Sequence, residues 1–159
     1  MVPRVAQRRL KKEVALSLSL AGTIAEDGHR LMQRVYYEDT DFSGVVYHAR
    51  YLHFLERGRT DYLRCLGVTQ GDMRMGDEEG SAAFVVRRML IDFLAAARMD
   101  DIVEIRTCSR RVTGARLELY QEIGCDDRLL VTAAVTVAVV NGEGRVRRLP
   151  DGLSALFAR

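Results

Sequence analysis

The chain has 159 residues, of which 48% are apolar, and this is enough for one domain with its own hydrophobic core. Its 24 basic and 22 acidic residues nearly balance, so the charge gives no argument for binding nucleic acid. The three cysteines lack Cys-x-x-Cys spacing, so we expect reduced thiols in a cytoplasmic protein and no metal site.

The first 27 residues are predicted to form an extension that precedes the domain at residues 28–159. Residues 1–12 are basic and lack periodicity, which predicts a solvated tail. In residues 13–26 leucine alternates with serine, which fits either a continuing tail or an extra strand. A secretory signal is a less favoured alternative. The apolar stretch is too short to cross a bilayer, so no transmembrane segment is expected.

One continuous segment in the first half of the chain combines a strand, a turn and a helix. Apolar and polar residues alternate over residues 30–37, which predicts a strand. An acidic turn over residues 39–44 follows, and apolar spacing of three and four residues predicts a helix from about residue 48 to residue 66. The segment therefore places carboxylates directly before the start of a helix.

The predicted helix has a glycine in its middle and another just after its end. Gly58 lies on the apolar stripe, which indicates that another part of the chain approaches the helix backbone closely there. Gly67 is predicted to end the helix. Arg57 and Asp61 are spaced as a helical ion pair.

Asp41 is the first candidate for chemistry in the acidic turn. The first N–H groups of a helix are unpaired, and they can polarise a carbonyl or stabilise an oxyanion. Asp41 beside such donors can act as a base or as a nucleophile, although the same residue type also caps helices.

The other polar and aromatic residues near the helix start have less direct roles. His48 can orient water, donate a proton to a leaving group or tune Asp41. We interpret Asp39 as a residue that shapes the turn, and the neighbouring tyrosines as core aromatics.

The second half of the chain is predicted to be a run of strands after a polar loop. The strands cover about residues 84–94, 102–112, 116–124 and 129–140. Short turns between them favour antiparallel pairing, and a terminal helical turn is predicted over residues 151–157. The order of strand, long helix and several strands predicts an α+β fold, with one antiparallel sheet around one central helix.

The run from Val35 to Ala49 resembles the YbgC-like acyl-CoA thioesterases, the Tol–Pal-associated branch of the hotdog-fold 4-hydroxybenzoyl-CoA thioesterase superfamily. The likeness continues through Tyr51, residues 56–59 and residues 62–64, and a second match covers residues 84–89, 91–93 and 97–101. It extends from about residue 28 to the end of the chain, which is far more specific than a short motif.

The resemblance implies a hotdog fold and hydrolysis of acyl-CoA to a free acid and coenzyme A, with no metal or cofactor required. It makes Asp41 the catalytic carboxylate and His48 the histidine beside it, and the seven-residue spacing makes a contact between the two plausible. The predicted substrate contacts are Gly44, Val46, Tyr47 and Arg88. Arg87 and Arg88 are neighbours in a strand, so we expect only one of them to meet a coenzyme A phosphate.

The resemblance also implies an assembly and a location. We expect a homodimer or homotetramer, because a symmetric partner would cover the second face of the sheet. The expected location is the cytoplasm, with peripheral contact at the inner membrane as an alternative. Two other functions stay open: an acyl-binding or scaffold protein linked to the Tol–Pal system, acyl carrier protein or phospholipid-synthesis enzymes, and an enoyl-CoA hydratase.

Overall fold

The structure is a computed structural model that describes residues 21–75, 80–149 and 151–157. The basic tail predicted for residues 1–12 therefore lies outside the described residues. The helices and strands are β1 (Thr23–Ala25), β2 (Gly28–Arg34), a 3₁₀ turn (Tyr37–Asp39), α1 (His48–Cys65), α2 (Gln70–Met75), β3 (Ala83–Phe93), β4 (Ile102–Thr113), β5 (Arg116–Cys125), β6 (Arg128–Val140) and α3 (Asp151–Phe157).

All six strands belong to one antiparallel sheet, in the order β1-β2-β4-β5-β6-β3. The helix α1 packs on this sheet through contacts with β1, β2 and β4. This arrangement confirms the predicted α+β architecture. The strand β6 lies between β5 and β3, which explains its nearly continuous apolar sequence.

The apolar stripe of α1 forms one wall of the core. Tyr51, Leu55, Gly58 and Tyr62 are all buried, as the helical spacing predicts. Gly67 follows the helix in the left-handed region with φ of 82°, where glycine has no steric penalty. Within the part of the chain that the structure describes, no helix is long and apolar enough to cross a membrane.

The strand predicted over residues 30–37 ends earlier than expected. The observed strand covers Gly28–Arg34. Tyr37, the last residue of the predicted strand, instead begins a 3₁₀ turn over Tyr37–Asp39. The cause is local, because the Tyr36 N–H donates to the Asp39 carboxylate at 2.8 Å instead of continuing the ladder. The chain therefore leaves the sheet at the acidic turn and is redirected toward the start of α1.

Candidate active site

The turn over residues 41–44 presents the Asp41 carboxylate to solvent. The Gly44 N–H donates to the Asp41 carbonyl at 2.9 Å, and the Asp41 N–H donates to the Val45 carbonyl at 2.9 Å. The Asp41 Oδ1 accepts the Ser43 N–H at 2.8 Å, whereas no described residue donates to Oδ2. Gly44 has φ of 74°, a left-handed backbone conformation that favours glycine over residues with a side chain. One carboxylate oxygen is thus held by the turn and the other is available.

The first turn of α1 follows directly and offers backbone donors. Tyr47 precedes the helix without a capping side-chain hydrogen bond, and its own N–H donates to the Asp39 carbonyl at 2.9 Å. The N–H groups of His48 and Ala49 meet no acceptor among the residues described. These two donors at the positive end of the helix dipole can stabilise a developing negative charge.

Asp39 shapes the turn, as the sequence predicts. It is 2% exposed, and its Oδ2 accepts the Tyr36 N–H at 2.8 Å. Its Oδ1 lies 2.9 Å from Arg50 Nε, but off the line of the N–H bond, so the contact is an ion pair without a hydrogen bond. Asp39 therefore ties the turn to α1 through Arg50 and is not available to a substrate.

Asp39→Asn is expected to lower the free energy of unfolding by about 1–3 kcal/mol, because it removes the charge that faces Arg50 and weakens the hydrogen bond from Tyr36. Urea unfolding followed by circular dichroism measures this change. Asp41→Asn is the control, since Asp41 is exposed and asparagine also forms such turns. Equal stability of the Asp39→Asn variant and the wild type would contradict this role.

His48 stands at the helix start beside two aromatic rings. Its ring lies 4.5 Å from the Tyr47 ring and 6.1 Å from the Phe93 ring, measured between centroids. No hydrogen bond joins His48 to Asp41 within residues 21–75. The imidazole instead packs against these two aromatic rings, so the predicted contact with Asp41 is not made through a hydrogen bond in the described residues.

An apolar cavity of about 220 Å³ adjoins the helix start. It is lined by Val46, His48, Tyr51, Phe93, Leu94, Ala95 and Ala96. The loop after β3 is held against α1 by Ala97, whose N–H donates to the Tyr51 hydroxyl at 2.9 Å and whose carbonyl accepts the Val46 N–H at 2.8 Å. Burial raises the pKa of Tyr51, which keeps its hydroxyl neutral.

The loop over residues 94–97 was not among the predicted site residues. Its only signal in the sequence is its position between the matching runs that end at Phe93 and restart at Ala97. Of the predicted substrate contacts, Val46 lines the cavity, and Tyr47 contacts His48 beside it. No described atom would lie within 4 Å of a Cβ at Gly44, so the space above this glycine is open to a ligand.

Arg88 lies away from this cavity. Arg88 and Phe93 are five residue steps apart along an extended strand, a distance of about 17 Å. Arg87 and Arg88 were predicted to face opposite sides because side chains alternate along a regular strand. A β-bulge between Val86 and Arg88 interrupts this alternation of side chains. Both arginines are exposed.

The prediction that the tyrosines of this segment belong to the core is wrong for three of the four. Tyr36, Tyr37 and Tyr47 are 56%, 82% and 47% exposed, and only Tyr51 is buried. Phe42 in the acidic turn is also fully exposed. Tyr36 and Tyr37 lie at the 3₁₀ turn, Phe42 in the acidic turn and Tyr47 just before α1, so the chain presents exposed aromatic surface on both sides of Asp41.

An antiparallel sheet packed on one long helix, with a carboxylate turn at the helix start, defines a hotdog-fold protein of the thioesterase type. The family model described as the thioesterase-like superfamily matches residues 35–157. The acyl-CoA thioesterase YbgC of Haemophilus influenzae is 43% identical over 133 residues, which cover 83% of this chain and 96% of that protein. The acyl-CoA thioester hydrolase YbgC of Escherichia coli is 42% identical over 126 residues, which cover 78% of this chain and 91% of that protein.

The solved structures agree with the sequence comparisons. The crystal structure of a probable thioesterase from Bartonella henselae superposes with a TM-score of 0.75 at 47% identity, and covers 77% of this chain and 99% of that one. The chain belongs to the thioesterase-like superfamily and, within it, to the YbgC family.

Proposed function

We propose that the protein hydrolyses acyl-CoA thioesters, with Asp41 as the catalytic carboxylate. The observation that carries this proposal is the Oδ2 of Asp41, which accepts no hydrogen bond from the described residues and lies on a hydrogen-bonded turn directly before a helix start whose first N–H groups meet no described acceptor. The activity named for the YbgC relatives supports the same reaction. No metal or cofactor takes part in the proposed step.

The reaction starts with the thioester carbonyl oxygen at the N–H groups of His48 and Ala49. These donors polarise the carbonyl and stabilise the oxyanion that forms. In one route Asp41 accepts a proton from water as the oxygen adds to the carbonyl carbon. In the other, Asp41 adds directly to give a mixed anhydride, which water then hydrolyses. In both, the carbon–sulfur bond breaks and coenzyme A leaves as a thiolate that takes up a proton.

His48 supports this step from the first turn of α1. Its ring lines the cavity, and it can donate a proton to the leaving thiolate or orient the attacking water. No hydrogen bond joins it to Asp41 in the described residues, which supports a role separate from the tuning of that carboxylate. We therefore propose a supporting role for His48.

The substrate contacts extend on both sides of the thioester. Val46 and Tyr47 border the apolar part of the substrate, and the open backbone at Gly44 lets the thioester approach the turn. Arg88 is too far away for the thioester, but coenzyme A carries its phosphates at the far end of a long pantetheine arm. Arginine suits such phosphates because it can bind them through two hydrogen bonds.

A second copy of the chain is proposed to complete the site. The cavity of about 220 Å³ is smaller than the 300–1,000 Å³ or so of typical ligand pockets. The strand β3 lies at the edge of the sheet and exposes several large apolar side chains, which are Val85, Val86, Leu90 and Phe93. Exposed apolar edges of this kind mark interaction surfaces. We propose a homodimer, or a homotetramer built from dimers, in which β3 edges meet.

Leu90→Lys is expected to shift the assembly toward monomers and to lower activity, because it places a charge on this edge strand. Met32→Lys is the matched control, since Leu90 and Met32 are 60% and 59% exposed but Met32 lies on β2. Light scattering over a range of protein concentrations measures the mass of each variant. A wild-type monomer with full activity would overturn the proposed assembly.

A panel of acyl-CoA esters of different chain lengths and aromatic groups tests the proposed reaction. Release of free thiol supports hydrolysis. Loss of enoyl absorbance without thiol release would favour a hydratase. Binding of acyl-CoA or acyl carrier protein without turnover would favour a scaffold linked to the Tol–Pal system or to phospholipid synthesis. Hydrolysis is proposed to take place in the cytoplasm, either free or peripheral to the inner membrane, and not to need residues 1–12, so a truncation that starts near Val14 should keep most of the activity.

A further inference from the structure

A cluster of three side chains with metal-ligating atoms lies between β2 and the second half of α1. His29 is fully buried, and its Nε2 is 2.8 Å from Asp61 Oδ2. Cys65 Sγ is 3.7 Å from the same oxygen, and the three ligand atoms all lie within 4.8 Å of one another. Asp61 therefore pairs with His29 and not with Arg57 as the helical spacing predicted. None of the three residues belongs to the candidate active site.

We propose that His29, Asp61 and Cys65 form a structural binding site for a zinc-class divalent cation. Imidazole nitrogen, carboxylate oxygen and thiolate sulfur are the three ligand types that Zn²⁺ uses in proteins. A neutral imidazole, one carboxylate and one thiolate together carry two negative charges. These two negative charges would balance the two positive charges of a divalent ion, so the site with its ion bound would bury no net charge.

One of the three ligand-atom spacings already meets what a tetrahedral ion requires, a second has to open, and the third, between His29 and Cys65, lies within 4.8 Å. At the usual zinc bond lengths, neighbouring ligand atoms are about 3.4–3.6 Å apart. The 3.7 Å between Asp61 and Cys65 meets this spacing. The 2.8 Å between His29 and Asp61 has to open by roughly half an ångström, a shift that the ends of side chains can make.

A path to the cluster exists on the Cys65 side. A cavity of about 620 Å³ is lined by Cys65 and Tyr62 together with the β1–β2 hairpin. It can admit the ion and supply water as a fourth ligand, as in zinc sites with three protein ligands. Tyr62 also stacks on the His29 ring, with 5.7 Å between the ring centroids, and this contact fixes the orientation of the imidazole.

The hydrogen bonds within the cluster leave one buried polar atom without a partner among the described residues. The Asp61 carboxylate accepts the Gly22 N–H at 2.6 Å as well as the contact from His29. His29 Nδ1, in contrast, is buried without a hydrogen-bond partner in the described structure. It is Nε2, not Nδ1, that lies among the Asp61 and Cys65 ligand atoms, so the ion would bind at Nε2 and Nδ1 would stay unpaired.

Cobalt titration of the purified full chain, after treatment with a chelator, tests the site. We expect one Co²⁺ per chain, with a thiolate-to-cobalt charge-transfer band that Zn²⁺ removes by competition. Zn²⁺ should also raise the melting temperature, because the ion joins β2 to α1. The readout is independent of thioester hydrolysis, so it tests the metal site whether or not the proposed activity is correct.

The variants separate this site from adventitious thiol binding. Cys65→Ser is the main one, because replacing the fully buried His29 risks unfolding, and it should weaken affinity by about a hundredfold or more. Cys108→Ser is the control, since Cys108 is a half-buried thiol that lines the same cavity. It should keep the band and the stabilisation. Absence of stoichiometric binding in the wild type, or equal affinity in the wild type and Cys65→Ser, would overturn the proposal.

Discussion

Asp41→Asn is expected to lower kcat by about a hundredfold or more while leaving the protein folded, since this is the usual scale for losing a catalytic base. The asparagine amide oxygen can still accept the Ser43 N–H that the Asp41 carboxylate accepts at 2.8 Å, so the turn keeps its shape. It cannot take a proton from water or attack a thioester. Because Asp41 is exposed, the change adds no buried unpaired group, and the effect on stability should be small.

The comparison with Asp39→Asn and His48→Ala makes this prediction specific. Asp39→Asn should reduce stability more than turnover per folded molecule, since Asp39 is buried against Arg50. His48→Ala should lower kcat less than Asp41→Asn, because the carboxylate remains. Turnover on a good acyl-CoA substrate and melting temperature are measured for all three variants. Near wild-type turnover by folded Asp41→Asn would mean that Asp41 only forms the turn.

The elements of the fold follow closely from local patterns. The helix predicted from about residue 48 to residue 66 is His48–Cys65, and the four later strands match to within a residue or two. Periodicity and turn residues are properties of neighbouring positions, so they can be seen in a single sequence. The one clear misplacement, at the end of β2, arises where a side chain replaces a ladder hydrogen bond.

Contacts between distant residues could not be predicted in this way. His29 and Asp61 are 32 residues apart, and nothing in their spacing along the chain indicates that the fold brings them together. Arg59 likewise donates to Gln121 on β5 at 2.8 Å, which no helical spacing predicts. The exposure of Tyr37 depends on where the 3₁₀ turn directs it. Such features require the packed structure, whereas Asp41 could be predicted as the catalytic carboxylate from its place before the helix start and from the resemblance.

Gly58→Val is expected to lower the free energy of unfolding by about 3 kcal/mol or more. A Cβ at Gly58 would lie 2.7 Å from Ile105 Cγ2 and 3.1 Å from Thr107 Oγ1, so α1 and β4 would have to separate. Separation would disturb the buried Gln121 side chain, which donates to the Leu55 carbonyl at 2.9 Å and to Thr107 at 2.8 Å. The close approach that this glycine indicates in the sequence is therefore part of the packing of α1 on the sheet.

Gly152→Val provides the matched control for this change. Gly152 lies in α3, and a Cβ there would meet no described atom within 4 Å. Valine has a somewhat better helix propensity than glycine, so the control should be neutral or slightly stabilising. Urea unfolding of both variants isolates the effect of contact with β4 from the effect of removing a glycine. Similar stability of Gly58→Val and Gly152→Val would show that β4 can move away from α1 without loss of packing energy.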